Sequence, residues 1–315
     1  MPPMCMYSAT STWFVTSFHP THYATRALGG VGLIIQEATA VRPEGRISGN
    51  DLGIWSDDHV QGLSSIVSLV HENGGIMGIQ LAHAGRKCLS GDTPKAPSAL
   101  PFSDKYPMPQ EMTLSDIDDV VHAFRDGANR AKNAGYDLIE IHAAHGYLLN
   151  EFLSSNANKR QDRYGGDLIH RATLLLEVIA AIRQVWSGPL CVRVSAEEYL
   201  EDGNHLEDTL RWLPLIRGLV DVIHVSSGGV APVQFPVFSG YQLSFAEAIK
   251  KLGFTVIGGG LVTEEGMIKK ALSMGIDYLY CGRKLLRDPY YVLHLAKNEG
   301  KMDLIPKPYE RGFKE

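Results

Sequence analysis

Three side chains that can share or move protons, His142, His145 and Tyr147, fall within six positions of one another. They close the stretch Asp137-Leu-Ile-Glu-Ile-His-Ala-Ala-His-Gly-Tyr-Leu-Leu-Asn150, whose apolar run Leu138 to Ile141 follows a break at Ala134-Gly135. A run this short, rich in Ile and bounded by Gly, reads as a buried strand. Polar groups clustered at the end of a parallel strand suggest a site at the carboxyl edge of a sheet. One histidine there would ordinarily be structural. Two of them with a tyrosine, followed by Asn150-Glu151, point to function. A His-x-x-His pair could also hold a metal, but zinc wants a third good ligand and Tyr147 is a poor one.

Further along, Gly258-Gly-Gly260 and Gly282-Arg283 each follow a short apolar run. Glycine lets a backbone approach a phosphate closely, and Arg283 can add a charge-assisted bond. Turns need glycine too, so the placement at two successive strand ends carries the weight. Arg193 stands between Val192 and Val194, and a buried arginine needs an anionic or acceptor partner. That partner is either a protein carboxylate or an electron-rich ligand. Gln80, at another strand end, offers both a donor and an acceptor. A phosphate site, a buried cation and an amide together suggest a phosphorylated heterocycle, and flavin mononucleotide (FMN) fits. The arginine would stabilise negative charge on its reduced ring.

The elements that must position these groups alternate. Strands are expected at Val31–Glu37, Ile76–Leu81, Leu138–Ile141, Leu190–Ser195, Asp221–Ser226, Phe254–Ile257 and Asp277–Cys281. Helices are expected between them, among them Thr21–Leu28, Asp57–Asn73, a helix capped by Thr113 or Ser115, Arg171–Trp186, Glu207–Leu219, Ser244–Leu252, and Glu264–Met274 capped by Thr263. Residues 88–112, 151–166 and 230–241 read as loops, and long loops in compact folds tend to be lids. Seven strand–helix repeats with no linker make a parallel sheet. With a strand stump at Met1–Cys5 they fit a (β/α)₈ TIM barrel lacking most of its first strand. The expected organisation is one domain over 1–315 with a polar tail from about 301. An open doubly wound sheet is the alternative, weakened because no Gly-x-Gly-x-x-Gly follows an early strand.

Composition narrows the classes. Among 315 residues the 30 Lys and Arg against 35 Asp and Glu leave a charge of −5, so no basic footprint for nucleic acid exists. No apolar run is long enough to cross a bilayer, and Pro2-Pro3 after Met1 is no signal peptide. The cysteines Cys5, Cys88, Cys191 and Cys281 are too dispersed for a paired metal motif or a disulfide framework. The cytoplasm is the expected compartment.

Several motifs resemble the Old Yellow Enzyme family, in its bacterial subclass of NADPH dehydrogenases. They are Pro3-Met-Cys-Met-Tyr-Ser8, Val31-Gly-Leu-Ile-Ile35 with Glu37-Ala38, Gly78-Ile-Gln-Leu-Ala-His-Ala-Gly-Arg-Lys87 and Ile139-Glu-Ile-His-Ala-Ala-His-Gly-Tyr147. Arg160-x-Asp-x-Tyr-Gly-Gly166, Val192-Arg-Val-Ser195, Ser226-Ser-Gly228, Gly282-Arg283, Leu286-Arg-Asp-Pro289 and Tyr309-Glu-Arg-Gly312 extend the likeness along essentially the whole chain. The resemblance implies an FMN-dependent ene-reductase that takes hydride from NADPH, with NADH an open alternative, and passes it from flavin N5 to an activated alkene. It implies that His142 and His145 hold the substrate carbonyl or nitro oxygen and that Tyr147 protonates the α-carbon. Tyr7 would contact the substrate. Pro3, Met4, Cys5 and Ala38 would line the flavin, with Cys5 tuning its potential. Gln80 and Arg193 would meet its ring edge. Gly259, Gly260, Gly282 and Arg283 would hold the phosphate. Arg311 would reach into the site of a neighbouring subunit, so a homodimer or homotetramer is implied.

The sequence departs from the family in places. Members carry about one more strand and a hairpin before the Pro-Met-Cys segment, which would close the barrel. Pro2 stands where the subclass usually has Ser, and Asp167-Leu-Ile-His170 replaces its usual Ser-x-Glu-Asn. Three alternatives compete. A flavin-free sugar-phosphate barrel enzyme wants Lys or paired carboxylates at the strand ends, where Ser, Gly and Arg stand instead. The iron–sulfur dienoyl-CoA reductase branch needs a cysteine cluster and extra domains. A shortened barrel with impaired flavin binding and little activity is the third.

Overall fold

In the computed structural model, which describes residues 1–314, seven parallel strands form one curled sheet in sequence order. They are β1 (Leu33–Ala40), β2 (Ile76–Ala82), β3 (Leu138–Ala143), β4 (Leu190–Ser195), β5 (Val222–Ser226), β6 (Thr255–Gly258) and β7 (Tyr278–Leu279). A two-residue ladder, Lys95–Ala96 against Gln110–Glu111, interrupts the loop expected over 88–112. The crossover helices are α1 (Phe18–Leu28), α2 (Asp58–Glu72), α3 (Leu114–Ala134), α4 (Leu148–Leu153), α5 (Thr173–Arg183), α6 (Leu206–Trp212), α7 (Leu243–Lys251), α8 (Glu265–Ser273), α9 (Arg283–Arg287) and α10 (Tyr291–Asn298). Parallel neighbours joined through helices bury both faces of a sheet, and β1 to β6 are buried along most of their length. The architecture is an α/β barrel.

The two edges of the curled sheet meet at the N-terminal segment. The Met1 ammonium donates to Leu33 O at 2.7 Å and Ile35 N–H donates to Met1 O at 3.0 Å. Met4 and Pro2 sit beside Gly282, just past β7. Residues 1–5, expected as a strand stump, thus run between β1 and β7 without forming a regular strand.

Local chemistry explains most boundaries. Thr113 caps α3: its hydroxyl accepts from Asp116 N–H, and the Asp116 carboxylate accepts from Thr113 N–H. Gly135 ends α3 at φ 91°, a left-handed position that other residues reach only at a cost. Two expectations are corrected. The cap of α8 is Glu264 rather than Thr263, with no side-chain capping bond. The helix expected to run to Leu219 ends at Trp212, because Pro214 cannot donate to the α ladder and the chain tightens into a 3₁₀ turn, Leu213–Ile216. Among the described residues no helix is long and apolar enough to cross a membrane.

One bulge matters for the site. In β1 the register passes from Gln36 opposite Ile79 to Ala38 opposite Gln80, leaving Glu37 unpaired. The freed Glu37 carboxylate accepts Met6 N–H at 2.7 Å and Tyr23 Oη–H at 3.2 Å. That bond holds the segment carrying Cys5 and Tyr7, where Tyr7 has a strained φ of 51°.

Candidate active site

Every residue of β3 is buried, and the strand delivers His142 to its carboxyl end. His142 Nδ1 accepts Ala144 N–H at 3.3 Å. The ring proton therefore sits on Nε2, which has no protein partner among the described residues. The His145 ring lies 5.3 Å from that of His142, and the Tyr147 ring 4.9 Å from it. The turn between them is strained and tied from several sides. His145 has φ 59° and Gly146 φ 71°. His145 N–H donates to Ser195 Oγ at 2.9 Å, and Ser195 Oγ donates to Gly228 O at 2.8 Å. Lys87 Nζ donates to His145 O at 3.0 Å and Gly229 O at 3.2 Å, joining the ends of β3 and β5. A Cβ on Gly146 would lie 2.2 Å from Gly229 O, so only glycine allows this approach.

Electrostatics set the protonation states. Burial, helped by Arg193, holds the His142 pKa down at about 3 and that of His145 well below its ordinary value. Both rings are neutral at neutral pH, so each has one N–H to donate. Burial pushes the Tyr147 phenol well above 10 and keeps it protonated. Lys87 Nζ rests 4.9 Å from the Tyr147 ring centroid.

Beneath this wall, His142, Arg193 and His224 occupy one level of the sheet on β3, β4 and β5. Arg193 is buried; among the described residues its Nε has no partner, while Nη1 makes a long bond to Pro3 O at 3.5 Å and the guanidinium lies beside the Tyr280 hydroxyl. A cation so placed calls for an anion or electron-rich group in the cavity. The nearby carboxylate, Glu140, is already satisfied. It accepts from Gln80 Nε2 at 2.7 Å, His224 Nδ1 at 2.7 Å and Cys191 Sγ at 3.4 Å. Burial would raise its pKa, but His224 and Arg193 hold it at about 2. Because Gln80 Nε2 is engaged, its Oε1 is left to accept.

A cavity of about 460 Å³ opens over this floor. Of the expected cofactor residues it brings together Pro3, Met4, Arg193, Gly260, Gly282 and Arg283, with His145 on the same wall. Gly260 has φ 96°, and a Cβ there would meet Tyr241 at 2.9 Å. Gly259 instead packs under the Tyr280 ring. Ala38 and Gln80 are opposite one another in β1 and β2, two register positions before His142. Cys5 lies beside Ala38 and Tyr7, and burial raises its pKa, keeping it a thiol. Half-exposed Tyr7 neighbours both Cys5 and Tyr147. Arg311 does not line the cavity; it is exposed on a 3₁₀ stretch, Lys307–Phe313, whose Tyr309 packs edge-on against Tyr290.

Several polar residues escaped the sequence reading. Glu140 had a visible signal, a carboxylate between Ile139 and Ile141. Ser195 stood at the end of an expected strand, while Gln242 and Tyr280 had no such signal. They become neighbours of the site only through the curl of the sheet.

Comparison with known proteins agrees with this geometry. The NADH:flavin oxidoreductase / NADH oxidase family matches residues 1–301. An NADPH dehydrogenase of Geobacillus thermodenitrificans is 50% identical over 321 residues, covering 100% of this chain and 94% of the relative. The structure of the old yellow enzyme homologue from Zymomonas mobilis superposes with a TM-score of 0.81 at 27% identity, over 95% of this chain and 88% of that one. A 2-naphthoyl-CoA reductase complex superposes at 0.88 over 96% of this chain but 50% of its own length, and at 24% identity it speaks for the fold alone. With a family match over nearly its whole length and a half-identical relative, the chain is an oxidoreductase that belongs to the NADH:flavin oxidoreductase / NADH oxidase family.

Proposed function

We propose that this oxidoreductase is an FMN-dependent NADPH dehydrogenase that reduces activated C=C bonds of α,β-unsaturated carbonyl and nitro compounds. One observation carries the reading. Two neutral imidazoles, His142 and His145, stand beside a protonated phenol, Tyr147, just past the end of β3, and His145 lines a cavity floored by Arg193, whose Nε has no hydrogen-bond partner among the described residues.

The residues fit the cofactor. Among the described residues Arg193 Nε is buried and unpartnered, and the Gln80 oxygen is free to accept, which suits a ring edge that carries both acceptor and donor atoms. Gly260 and Gly282 leave backbone open beside Arg283, which suits a phosphate, with Gly259 supporting the turn. Pro3, Met4, Cys5 and Ala38 would line the ring. Bound FMN, reduced by NADPH, supplies a hydride for the β-carbon. Relatives bearing the name NADPH dehydrogenase support that reductant over NADH.

The chain's own residues then have the following tasks. His142 and His145 donate to the substrate oxygen and stabilise the negative charge that grows there. Tyr147, kept protonated by burial, gives its proton to the α-carbon. Tyr7 covers the substrate from the side of Cys5, and the neutral Cys5 thiol tunes the ring's surroundings. The whole chain acts as one domain with a tail over about 301–315. Arg311, exposed in that tail, is free to enter the site of a second copy in a homodimer or homotetramer. The cytoplasm is the proposed compartment.

Purified protein should be yellow, bleach anaerobically with NADPH and recover its colour on adding 2-cyclohexenone. Colourless protein that takes up no added FMN would end this reading.

A further inference from the structure

A line of polar groups runs behind His145 and determines more than its position. It starts at Arg193, which has only N–H groups to give. Arg193 lies over the Tyr280 ring, Cζ 5.9 Å from its centroid; burial pushes the Tyr280 hydroxyl to about 12, and the guanidinium draws it back. A hydroxyl facing a guanidinium turns its own proton away, and Tyr280 Oη donates to Gln242 Oε1. That bond orients the buried Gln242 amide, so Nε2 faces Ser227 Oγ at 2.7 Å and Ser226 Oγ at 3.3 Å. Ser226 Oγ accepts from Gln242, which leaves its hydroxyl proton to be given. Besides the Tyr280 hydroxyl, whose own proton goes to Gln242, Ser226 Oγ meets His145 Nε2 at 2.7 Å. An imidazole nitrogen that accepts carries no proton, and the ring is neutral. With the Ser226 proton given to that short contact, the single proton of the neutral ring sits on Nδ1.

We propose that Ser226, oriented by Gln242 and Tyr280, is a positioning residue that locks His145 as the Nδ1–H tautomer. The two histidines then present opposite ring nitrogens, His142 Nε2–H and His145 Nδ1–H, each fixed by a different device. The device for His142 is a backbone amide, that of Ala144. For His145 it is a chain of side chains that begins at the cation on the cavity floor. Hydrogen bonds in such a chain polarise one another, so a change at Arg193 is transmitted to the N–H of His145. The consequence for catalysis rests on the proposed role of His145 at the substrate oxygen. The tautomer itself does not.

The test is nitrogen NMR on the flavin-loaded enzyme with its 12 histidines labelled, the His145 signals assigned by their loss in His145→Asn. Wild type should show a protonated Nδ1 and a bare Nε2 at His145. Ser226→Ala should turn this into a mixture, and Ser226→Thr, which keeps the hydroxyl, should restore it. A wild-type Nε2–H form, or a tautomer indifferent to Ser226→Ala, overturns the proposal. Alongside, kcat/KM for 2-cyclohexenone should fall about tenfold in Ser226→Ala and recover in Ser226→Thr, the loss of one aligned hydrogen bond. If the tautomer shifts as expected and kcat/KM does not move, the lock stands and the assignment of His145 to the substrate oxygen fails.

Discussion

The wall built by β3, β4 and β5 and the side built by β6 and β7 are made differently. β3 and β4 are six residues long and buried throughout. The α3 helix that leads into β3 buries seven residues, with Phe124 fully enclosed. By contrast β7 is two residues long, with Tyr278 57% exposed, and α8 buries Ala271 alone. The wall carries His142, His145, Tyr147 and Arg193, crossed by bonds from Lys87, Ser195 and Ser226. The other side carries Gly259, Gly260, Gly282 and Arg283. Proton-handling groups need their geometry set in advance, because misplacement by about 1 Å can cost a hundredfold in rate. A phosphate cradle can be completed by the contacts of the phosphate itself, which add stability when the ligand binds.

If that division is right, the largest effect comes from stripping the wall. His142→Ala together with His145→Ala should lower kcat/KM for alkene reduction by about a hundredfold or more, the scale of lost oxyanion donors. The flavin should stay bound, read from its absorbance after gel filtration. Alkene reduction untouched by the double change would break both the comparison and the functional reading. The next effect lies on the open side. Arg283→Ala should weaken FMN binding by about tenfold to a hundredfold, the worth of a charge-assisted bond to phosphate. Once saturated with FMN, the variant should turn over at about the wild-type rate, since nothing on the wall has moved.

Hydrogen exchange sharpens the same contrast without mutation. Adding FMN to flavin-stripped protein should slow exchange most in residues 255–287 and least in 138–147 and 190–195. The second group is already held by buried ladders and cross-bonds. Equal protection of both regions would mean that the wall also waits for its ligand.

How much of this was readable beforehand follows the same line. The strand order was legible, because each buried run is short, apolar and stopped by Gly, Pro or a polar cluster. The histidine pair was legible because β3 ends at His142 and the turn after it is only a few residues long. The support behind the pair was not. Ser226 and Gln242 are 16 positions apart, and Gln242 and Tyr280 are 38 apart. Only strand pairing across β5, β6 and β7 gathers them. The seam at Met1–Cys5 and the cap of α8 were misjudged for a related reason. Both depend on which tertiary neighbour takes a backbone group, and local propensity is silent about that.

The smallest effect tests whether the wall tolerates charge. Glu151, on α4 just past Tyr147, is fully buried. Its Oε1 accepts Arg86 N–H at 2.8 Å, while Oε2 has no partner. Burial pushes its pKa to about 8, with Arg86 pulling it back, so the folded state keeps this carboxyl protonated at neutral pH. A carboxyl raised in the fold contributes stability that is whole below its ordinary value of 4.5 and lost as pH rises through about 8. Glu151→Gln cannot titrate, so its melting temperature relative to wild type should climb from about pH 5 to about pH 9. The climb should amount to several degrees, up to about ten, in a domain of this size. A difference that stays flat would mean that Glu151 is ionised in the folded protein. The wall would then contain a buried ion pair with Arg86 or Lys87, and its rigidity would owe as much to charge as to packing.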